Sequence, residues 1–367
     1  MPLTILGLGT AVPPPVTRQA DALTAARLLS DPAVAGAAWL GPVYERSGVK
    51  TRHQVLGEEF VADMVNGTRT SGSPYLPGAD PRGPRTACRM ELYAKHAPTL
   101  ALEAAWRAID AAEVSPAKVT HLVTVSCTGF VAPGVDLILS KELGLSPNVE
   151  RLHVGYMGCH GAINGLRAAH AIAHDPDAVV LVACVELCSI HYYTGPESDK
   201  VVANALFADG AAAVVGVGRA FGPRSGGGPA VTATGACVLP DSGGDMGWTI
   251  GDHGFEMTLS QRIAPMIAAH LRPWLTTWLA KRNLTPGDIA HWAIHPGGPR
   301  ILSGVQETLN LTPEQMAPSR GILADYGNMS SPTVLFILER LRQQAATGPT
   351  VLIAFGPGLV AEAALIE

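Results

Sequence analysis

The chain carries few charged side chains, and it has no basic run among them. Asp, Glu, Lys and Arg make up 16% of the 367 residues, and the formal net charge is -5. Disordered chains combine low hydrophobicity with high net charge, so this composition excludes a disordered protein. Without basic runs, the sequence gives no indication of a nucleic acid or an anionic membrane surface as a partner.

Long apolar runs and secretion signals are missing as well. No apolar run reaches the roughly 18 residues of a membrane span, and the stretch 178–190 is interrupted by Glu186. The N-terminal segment MPLTILGLGTAVPPP has no basic start and breaks at prolines, so it predicts a first strand and not a signal peptide. We therefore expect a cytoplasmic protein without a membrane span.

None of the cysteines has the CxxC spacing of a redox or zinc motif. The six are Cys88, Cys127, Cys159, Cys184, Cys188 and Cys237. Several lie in apolar runs typical of buried strands, which indicates reduced thiols in a cytosolic protein. Cys184, Cys188 and His191 could be metal ligands, but a structural zinc site needs four. We therefore predict no metal site and assign these residues to packing.

Apolar residues, 47% of the chain, fall into segments typical of alternating strands and helices. The predicted strands are 3–8, 121–126, 151–156, 179–185 and 211–217, and the predicted helices are 134–143 and 162–173. This alternation predicts an α/β protein built in layers. Two stretches rich in Gly, Pro and Ser, 66–85 and 222–229, predict loops, and the second is the best candidate for a linker.

The second half of the chain repeats the first. His121 corresponds to His291, Cys159 to Asn328 and Val179 to Thr350, so the offset stays between 169 and 171 residues. Three segments in order at nearly one offset indicate a duplicated α/β unit with two pseudo-symmetric halves. We place these halves at 1–225 and 226–367.

The repeat brings three polar side chains together. Cys159 and Asn328 occupy the same strand-to-helix junction in their two copies, and corresponding junctions of paired halves face each other near the axis. His295 ends a strand at a Pro-Gly-Gly turn. We therefore predict that Cys159, His295 and Asn328 form one site at the ends of strands and helices.

Cys159, in GYMGCHGA, has the surroundings of a nucleophile. Gly158 permits a tight turn and a helix follows, so the sulfur lies near a helix N-terminus, where the dipole lowers the pKa of a thiol. A neighbouring histidine would lower this pKa further through a thiolate–imidazolium pair. The alternative is an inert buried cysteine.

The other two residues also have simple alternatives. His295 could cap a turn, and Asn328 could cap the helix that Pro332 begins. A Cys-His-Asn set serves cysteine hydrolases, in which Asn orients His. It also serves condensing enzymes, in which His and Asn donate hydrogen bonds to a thioester carbonyl and stabilise the enolate that forms when a malonyl group loses CO2. Such a pocket needs aromatic walls, and Phe207 and Phe355 are candidates.

Several motifs together resemble one family. They are GVDLILSKELGLSPNVERL, YMGCHGA, ALFADGAAAVV, HPGGPRIL, YGNMSSPTVLFIL and FGPGL. Their combination resembles the type III polyketide synthases, the chalcone-synthase-like enzymes of the thiolase superfamily, from about Leu3 to the C-terminus. The resemblance implies a thiolase fold, in which duplicated βαβαβαββ halves pack in an αβαβα five-layer arrangement. It also implies a homodimer.

The resemblance assigns roles to the three polar residues. Cys159 takes a starter acyl group from an acyl-CoA. His295 pairs with the thiolate and, with Asn328, orients malonyl-CoA and stabilises its enolate. The substrates are CoA thioesters, so the resemblance implies neither a metal nor an organic cofactor.

Further positions follow from the same resemblance. Phe207 matches a gatekeeping phenylalanine, and Ser330 matches a residue that lines the active site. The cavity floor is implied at Phe355, Gly356, Pro357 and Gly358. Lys50 and Arg52 match a basic stretch that meets the CoA phosphates, with a solvated surface as the alternative.

Some positions differ from the plant enzymes. Met257 replaces a second gate phenylalanine, Cys127 and Cys188 replace threonines, a third threonine falls near His191, and Ala132 replaces a methionine that crosses the dimer interface. These replacements resemble bacterial members and suit an aliphatic starter, since Met adapts to apolar shapes. The hypothesis is a medium or long fatty acyl-CoA starter, with an alkylpyrone or alkylresorcinol as the product.

Three other functions remain open at this point. One is an initiating fatty-acid ketosynthase that uses a carrier protein, although the HPGGP and GNMSS contexts favour the polyketide synthase. Another is a cysteine hydrolase that acts on thioesters. The last is a catalytically silent homologue, which intact Cys159, His295 and Asn328 argue against.

Overall fold

The computed structural model describes residues 1–14, 16–76, 78, 80–218 and 228–367. Within these residues the strands span Leu3–Ala11 (β1), Val16–Arg18 (β2), Thr51–His53 (β3), His121–Ser126 (β4), Glu150–Gly155 (β5), Val179–Leu187 (β6), Asp209–Val217 (β7), Ala230–Val238 (β8), Met246–Gly251 (β9), Gly254–Leu259 (β10), His291–Ile294 (β11), Thr350–Gly356 (β12) and Val360–Ile366 (β13). The α-helices span Gln19–Leu29 (α1), Pro32–Ala35 (α2), Leu40–Glu45 (α3), Gly57–Asn66 (α4), Thr86–Ala112 (α5), Val135–Glu142 (α6), Gly161–Ile172 (α7), Ser198–Leu206 (α8), Ile263–Ala280 (α9), Pro299–Leu309 (α10), Pro313–Tyr326 (α11) and Thr333–Gln343 (α12).

These bounds confirm the predicted elements to within a few residues. The predicted loop 66–85 lies between the end of α4 and the start of α5. Most of the predicted linker, 222–227, and the predicted boundary at 225/226 lie outside the described residues, so both stay predictions.

Nine strands form one mixed sheet, and its order displays the duplication. The order is β11-β12-β13-β8-β1-β7-β6-β4-β5. In each half a parallel pair, β4·β6 or β11·β12, is followed by two antiparallel pairs that end at β1 or β8. The halves meet where β1 and β8 pair, through Leu3 with Val231 and Thr4 with Ala230. The two halves of the sheet therefore share one strand order, so that corresponding strands end at corresponding positions.

Alternate residues of each strand face two different cores. In β6, Val180 and Val182 pack in a central cluster with α7 and α12, whereas Val179 and Leu181 pack in an outer cluster with α5. The strands of the second half divide in the same way between that central cluster and an outer one with α9, α10 and α11. Successive side chains of a strand point to opposite faces, so each half of the nine-stranded sheet lies between two helix layers. The two halves share the central layer of α7 and α12, which gives the order helix, sheet, helix, sheet, helix. The predicted five-layer thiolase fold is confirmed.

The second half departs from the predicted repeat at one strand. Among the described residues no counterpart of β5 pairs with β11, which ends the sheet on that side. Helix α11 packs along β11 instead, and the Ile294 N–H donates to Ser319 Oγ at 3.0 Å. The edge of β11 is thereby covered, whereas most of β5 at the opposite edge is exposed.

No helix in the described parts of the chain is both long and apolar enough to span a membrane.

Candidate active site

A cavity of about 680 Å³ lies at the N-terminal end of α7 and contains the three predicted polar residues. Cys159, His295 and Asn328 all line it, and all three side chains are buried. They come from a turn before α7, from the end of β11 and from the segment before α12. The structure thus brings together the residues that the internal repeat predicted to meet.

Cys159 lies in a single turn of 3-10 helix, Gly158–His160, directly before α7. Gly158 has φ +63°, and a Cβ there would lie 2.6 Å from Cδ of Pro357. Glycine is therefore required both by the backbone conformation and by the close approach of the 355–358 segment. This close packing fixes the position of the Cys159 sulfur at the floor of the cavity.

The thiol of Cys159 is more basic than the sequence predicted. Burial raises its pKa to about 11, and the Glu186 carboxylate also raises it, while Ser330 and Asn328 act in the opposite direction. Ser330 Oγ donates to Cys159 Sγ at 3.7 Å. The prediction of a depressed thiol pKa is wrong in direction, because loss of hydration outweighs the polar contacts. Cys159 therefore needs a base to take its proton when it reacts.

His295 has a neutral imidazole with both nitrogens available. Burial, with a smaller contribution from His160, lowers its pKa to about 3. Neither Nδ1 nor Nε2 has a hydrogen-bond partner among the described residues, although both atoms are buried. A neutral imidazole has one N–H donor and one acceptor, and leaving both unpaired is costly. Such a residue suits a ligand that supplies the missing partner.

Asn328 presents its amide N–H groups to the cavity. Its Oδ1 accepts the Ser330 N–H at 2.8 Å, while Nδ2 is buried and has no hydrogen-bond partner in the described part of the chain. Its backbone N–H donates to Leu206 O at 2.8 Å, and its carbonyl accepts the Ala208 N–H at 2.9 Å. The side chain is thus anchored through its oxygen, so that only the donors remain free.

The predicted capping role of Asn328 is wrong. Helix α12 begins at Thr333, and Pro332 is its N-cap without a side-chain hydrogen bond. Thr333 Oγ1 instead accepts the Met329 N–H at 2.9 Å. Asn328 serves the preceding turn, where Ser330 has φ +56°.

The predicted pocket residues lie around Cys159 in two separate spaces. Phe207, Met257 and Phe355 line the main cavity. Cys127, Cys188 and Ser330 line a void of about 20 Å³ behind it, and Cys159, Phe207 and Met257 border both spaces.

The 355–358 segment forms the floor beneath Cys159. Phe355 faces the cavity, whereas Pro357 packs on Gly158. Gly356 lies so close to the His160 ring that a Cβ would be 2.2 Å from Cδ2, and Gly358 has φ +76°.

His191 is a wall residue, and it is not available to a metal. Its Nε2 donates to Thr128 O at 2.7 Å, and its Nδ1 accepts the Phe255 N–H at 2.9 Å. The ring stacks on Phe255 with centroids 4.3 Å apart, and burial lowers its pKa to about 3. Within the residues that the structure describes, no group of three or more His, Cys, Asp or Glu side chains is placed to hold a metal ion.

Trp248 is a wall residue that the sequence did not indicate. It lies on β9, and its Nε1 donates to Cys127 O at 2.7 Å. Trp248 borders the 20 Å³ void and a second void of about 30 Å³, which His191 also lines. Only the packing of the β9–β10 hairpin against the first half brings it there, and no local motif signals such packing.

The assignment of Arg52 to the CoA phosphates is wrong. Its side chain is 0% exposed, and its guanidinium donates to the carbonyls of Asn204, Ala205 and Phe207 at 2.6, 2.8 and 3.0 Å. Two of these carbonyls belong to the last turn of α8, where a cation is favourable. Arg52 therefore holds Phe207 in place and has no donor face toward a soluble ligand. Lys50 is exposed.

Replacement of Arg52 by methionine is expected to destabilise the protein by roughly 3 kcal/mol, since it leaves several buried carbonyls unpaired. Lys50→Met, two residues away and exposed, is the matched control and should change the unfolding free energy by less than about 0.5 kcal/mol. Urea unfolding followed by tryptophan fluorescence measures both. An unchanged unfolding midpoint for Arg52→Met would refute the structural role.

Two exposed arginines line the cavity where it meets solvent. They are Arg46, at the end of α3, and Arg300, in α10. Sequence reasoning missed both, although Arg46 is only a few residues from the basic stretch that it selected.

Two protein-family models together match nearly the whole chain. Residues 2–219 match the family model "Chalcone and stilbene synthases, N-terminal domain", and residues 230–367 match "Chalcone and stilbene synthases, C-terminal domain".

Two curated relatives and one solved structure agree with these family matches. The 1,3,6,8-tetrahydroxynaphthalene synthase of Streptomyces peucetius subsp. caesius is 34% identical over 99% of this chain and 93% of its own length. The alpha-pyrone synthesis polyketide synthase-like Pks18 of Mycobacterium tuberculosis is 33% identical over 99% of this chain and 90% of its own. The crystal structure of PKS-I from the brown alga Ectocarpus siliculosus has a TM-score of 0.88 and 31% identity, and covers 100% of this chain and 98% of its own.

Proposed function

Because the chain belongs to the chalcone and stilbene synthase family of type III polyketide synthases, which are malonyl-CoA-dependent acyltransferases, we propose the following division of labour in its cavity. Cys159 carries the acyl chain, and His295 with Asn328 activates malonyl-CoA. The observation that supports this most directly is the set of buried, unpartnered nitrogens of His295 and Asn328 beside the Cys159 thiol.

In the loading step His295 acts first as a base and then as an acid. Its neutral imidazole accepts the proton of the Cys159 thiol, and the thiolate attacks the carbonyl of the acyl-CoA thioester. The tetrahedral intermediate then expels CoA thiolate, which takes the proton back from His295. Burial keeps the imidazole of His295 neutral before the reaction, and the negative charge of the forming Cys159 thiolate raises the pKa of the imidazolium and so stabilises the ion pair.

In the activation step the cavity stabilises an enolate. The bond between the carboxylate carbon and the methylene of malonyl-CoA breaks, CO2 leaves, and the electron pair forms an enolate on the CoA thioester. The imidazole N–H of His295 and Nδ2–H of Asn328 donate to the enolate oxygen. Phe207 presents an apolar face that disfavours the solvated carboxylate and favours neutral CO2.

Condensation returns Cys159 to its starting state. The enolate carbon attacks the thioester carbonyl on Cys159, a carbon–carbon bond forms, and the Cys159 thiolate leaves and takes up a proton from solvent, which restores the thiol. The extended chain is then held on CoA. Repeated loading and extension give a poly-β-ketone that closes to a pyrone or an aromatic ring.

The hydrolase alternative fits this arrangement poorly. There Asn would hold the imidazole of His through a hydrogen bond, but both nitrogens of His295 lack a partner and Asn328 Oδ1 is taken by Ser330. The free amide donors point to a ligand and not to the histidine.

CoA thioesters are the proposed substrates, with Arg46 and Arg300 as the groups that meet the CoA phosphates. Both are exposed and line the mouth of the cavity, and Arg suits phosphate oxygens through its fork of N–H donors. No metal or organic cofactor is part of the proposal. The six free thiols, the nucleophile among them, fit a reducing, cytoplasmic compartment.

The favoured starter is a medium or long fatty acyl-CoA, and the favoured product is an alkylpyrone or alkylresorcinol. Behind Cys159 the two voids share Cys188, Phe207, Trp248 and Met257. The second void continues to the half-buried pair of Lys200 and Glu256. Together they mark a path, mostly apolar next to Cys159 and more polar toward Lys200 and Glu256, along which an acyl chain would extend if Met257, a flexible side chain, shifted.

A panel of acyl-CoAs from acetyl to palmitoyl, with labelled malonyl-CoA and mass spectrometry of the products, tests this proposal. We expect kcat/KM to rise with chain length by about tenfold or more, since each buried methylene contributes about 0.8 kcal/mol. The same rates are expected after dialysis against EDTA. A preference for acetyl, malonyl or aromatic starters would refute the fatty acyl proposal, and a strict need for carrier protein would favour the initiating ketosynthase.

A second copy of the chain is the proposed partner of the exposed β5 edge. Leu152 on β5 is 46% exposed, and Phe130 in the neighbouring loop, which also holds Ala132, is 65% exposed. An open edge strand with apolar side chains is a template for pairing. The family resemblance implies a homodimer, and this is the uncovered edge of the large sheet.

Light scattering on a sizing column tests the dimer. We expect about twice the 38.2 kDa of one chain for the wild type and a monomer for Leu152→Glu, which places charges against each other across the paired edge. Val238→Glu, at a residue that is 72% exposed on β8, is the control and should stay dimeric. A wild-type monomer, or a dimeric Leu152→Glu protein, would rule out this interface.

A further inference from the structure

A row of polar residues runs along one face of α7, starting at the residue after the nucleophile. His160, Asn164 and Arg167 follow at the spacing that places side chains on one helix face. His160 Nδ1 lies 2.7 Å from Asn164 Oδ1, Asn164 Nδ2 donates to Glu362 Oε1 at 3.0 Å, and Arg167 pairs with the same carboxylate. Since the Asn164 amide nitrogen faces Glu362, its oxygen faces His160, and Nδ1 of His160 is the donor.

This row lies in the central layer, which is otherwise mostly apolar. His160 and Glu362 are each 3% exposed. Burying an ion pair and its hydrogen bonds costs hydration free energy, which apolar residues of similar volume would not. A fully satisfied buried network does, however, fix one arrangement of the groups that it joins. The groups joined here are α7 of the first half and β13 of the second.

The ring of His160 also contacts the second half directly. A Cβ on Gly356 would lie 2.2 Å from its Cδ2 and 2.5 Å from its Nε2, so the imidazole packs closely against the backbone at the end of β12. The neighbouring strand β11 leads to His295, whose backbone N–H donates to Ile353 O of β12 at 2.8 Å. His160 is thus wedged between the Cys159 turn and the strands that carry His295.

We infer that His160 is a positioning residue that holds the Cys159 turn in register with His295 and Asn328 across the two halves. This inference rests on the proposed roles of those three residues. Asn164, Glu362 and Arg167 anchor the ring, and Gly356 leaves room for it. The chemistry requires the sulfur at the carbonyl of a bound thioester, and a displacement of about 1 Å can cost about 10²-fold in rate.

The two partial reactions depend on this register to different degrees. Acylation and condensation need Cys159 aligned with His295. Decarboxylation of malonyl-CoA needs only His295, Asn328 and the apolar wall. Loss of His160 should therefore slow acylation more than decarboxylation, whereas a general loosening of the fold would slow both.

His160→Phe and His160→Asn form the matched pair for the test, because the asparagine amide can take the place of Nδ1 and donate to Asn164. We expect His160→Phe to lower the single-turnover acylation rate by about 10²-fold. Decarboxylation, measured with Cys159→Ala also present, should change less than about threefold. His160→Asn should recover most of the acylation rate.

Three results would each overturn the inference. They are an equal loss in both partial reactions, a wild-type acylation rate for His160→Phe, and no recovery of that rate in His160→Asn. If His160→Phe does not fold, Glu362→Gln loosens the far end of the same network and should show the same selective loss at smaller size. A wild-type protein whose Cys159 is not acylated would instead refute the proposed function, so the two failures are distinguishable.

Discussion

Replacement of Cys159 by alanine is expected to abolish ketide formation, with a loss of roughly 10³-fold or more, while CO2 release from malonyl-CoA continues. The reason is the separation of roles in the cavity. Of the cysteines that the structure describes, only Cys159 lines the main cavity, whereas the donors of His295 and Asn328 are untouched by the substitution. Labelled malonyl-CoA measures both outcomes in one assay, as trapped CO2 and as extended product.

Cys237→Ala is the control for this experiment, because Cys237 is a free thiol on β8 outside the cavity lining. It should retain both activities. Undiminished product yield from Cys159→Ala would contradict the central assignment. Loss of CO2 release together with product would show that Cys159 also takes part in activation.

Replacement of Asn328 by aspartate is expected to reduce decarboxylation by about 10²- to 10³-fold, the usual cost of one lost oxyanion donor. Aspartate keeps the oxygen that accepts the Ser330 N–H at 2.8 Å, so the turn before α12 is retained. What changes is the end that faces the cavity, where a carboxylate oxygen replaces the amide N–H groups. That oxygen repels the enolate instead of donating to it.

The acylation of Cys159 separates this effect from misfolding. Asn328→Asp should still take up an acyl group from acyl-CoA, detected by intact-protein mass spectrometry, although it extends that group very slowly. Asn148→Asp, an exposed position, controls for the added negative charge. Normal decarboxylation by Asn328→Asp would contradict the proposed enolate site.

The strongest sequence signals were those with a local cause. Short apolar runs bounded by turn residues predicted five of the nine strands of the large sheet, and the constant offset between the halves predicted that Cys159 and Asn328 meet. The repeat carried this information because equivalent junctions of a duplicated unit are related by its symmetry. His295 followed from its own Pro-Gly-Gly turn.

Burial and hydrogen-bond partners were decided by the tertiary structure alone. Arg52 looked like a surface cation, yet its donors meet carbonyls more than 150 positions away. The pKa of Cys159 rises because distant elements exclude water from the thiol, whereas the sequence showed only the helix N-terminus that would lower it.

The sequence by itself therefore determined the family, the layered duplicated fold and the three polar side chains that meet in the cavity, since each depends on residues close in the chain or repeated within it. Only the tertiary structure decided how those side chains are tuned. Trp248 at the wall and the His160–Asn164–Glu362 row arise from contacts between the two halves, and the free donors of Asn328 arise from the turn in which its oxygen accepts the Ser330 N–H. Such contacts depend on the three-dimensional packing of segments that have no pattern in common.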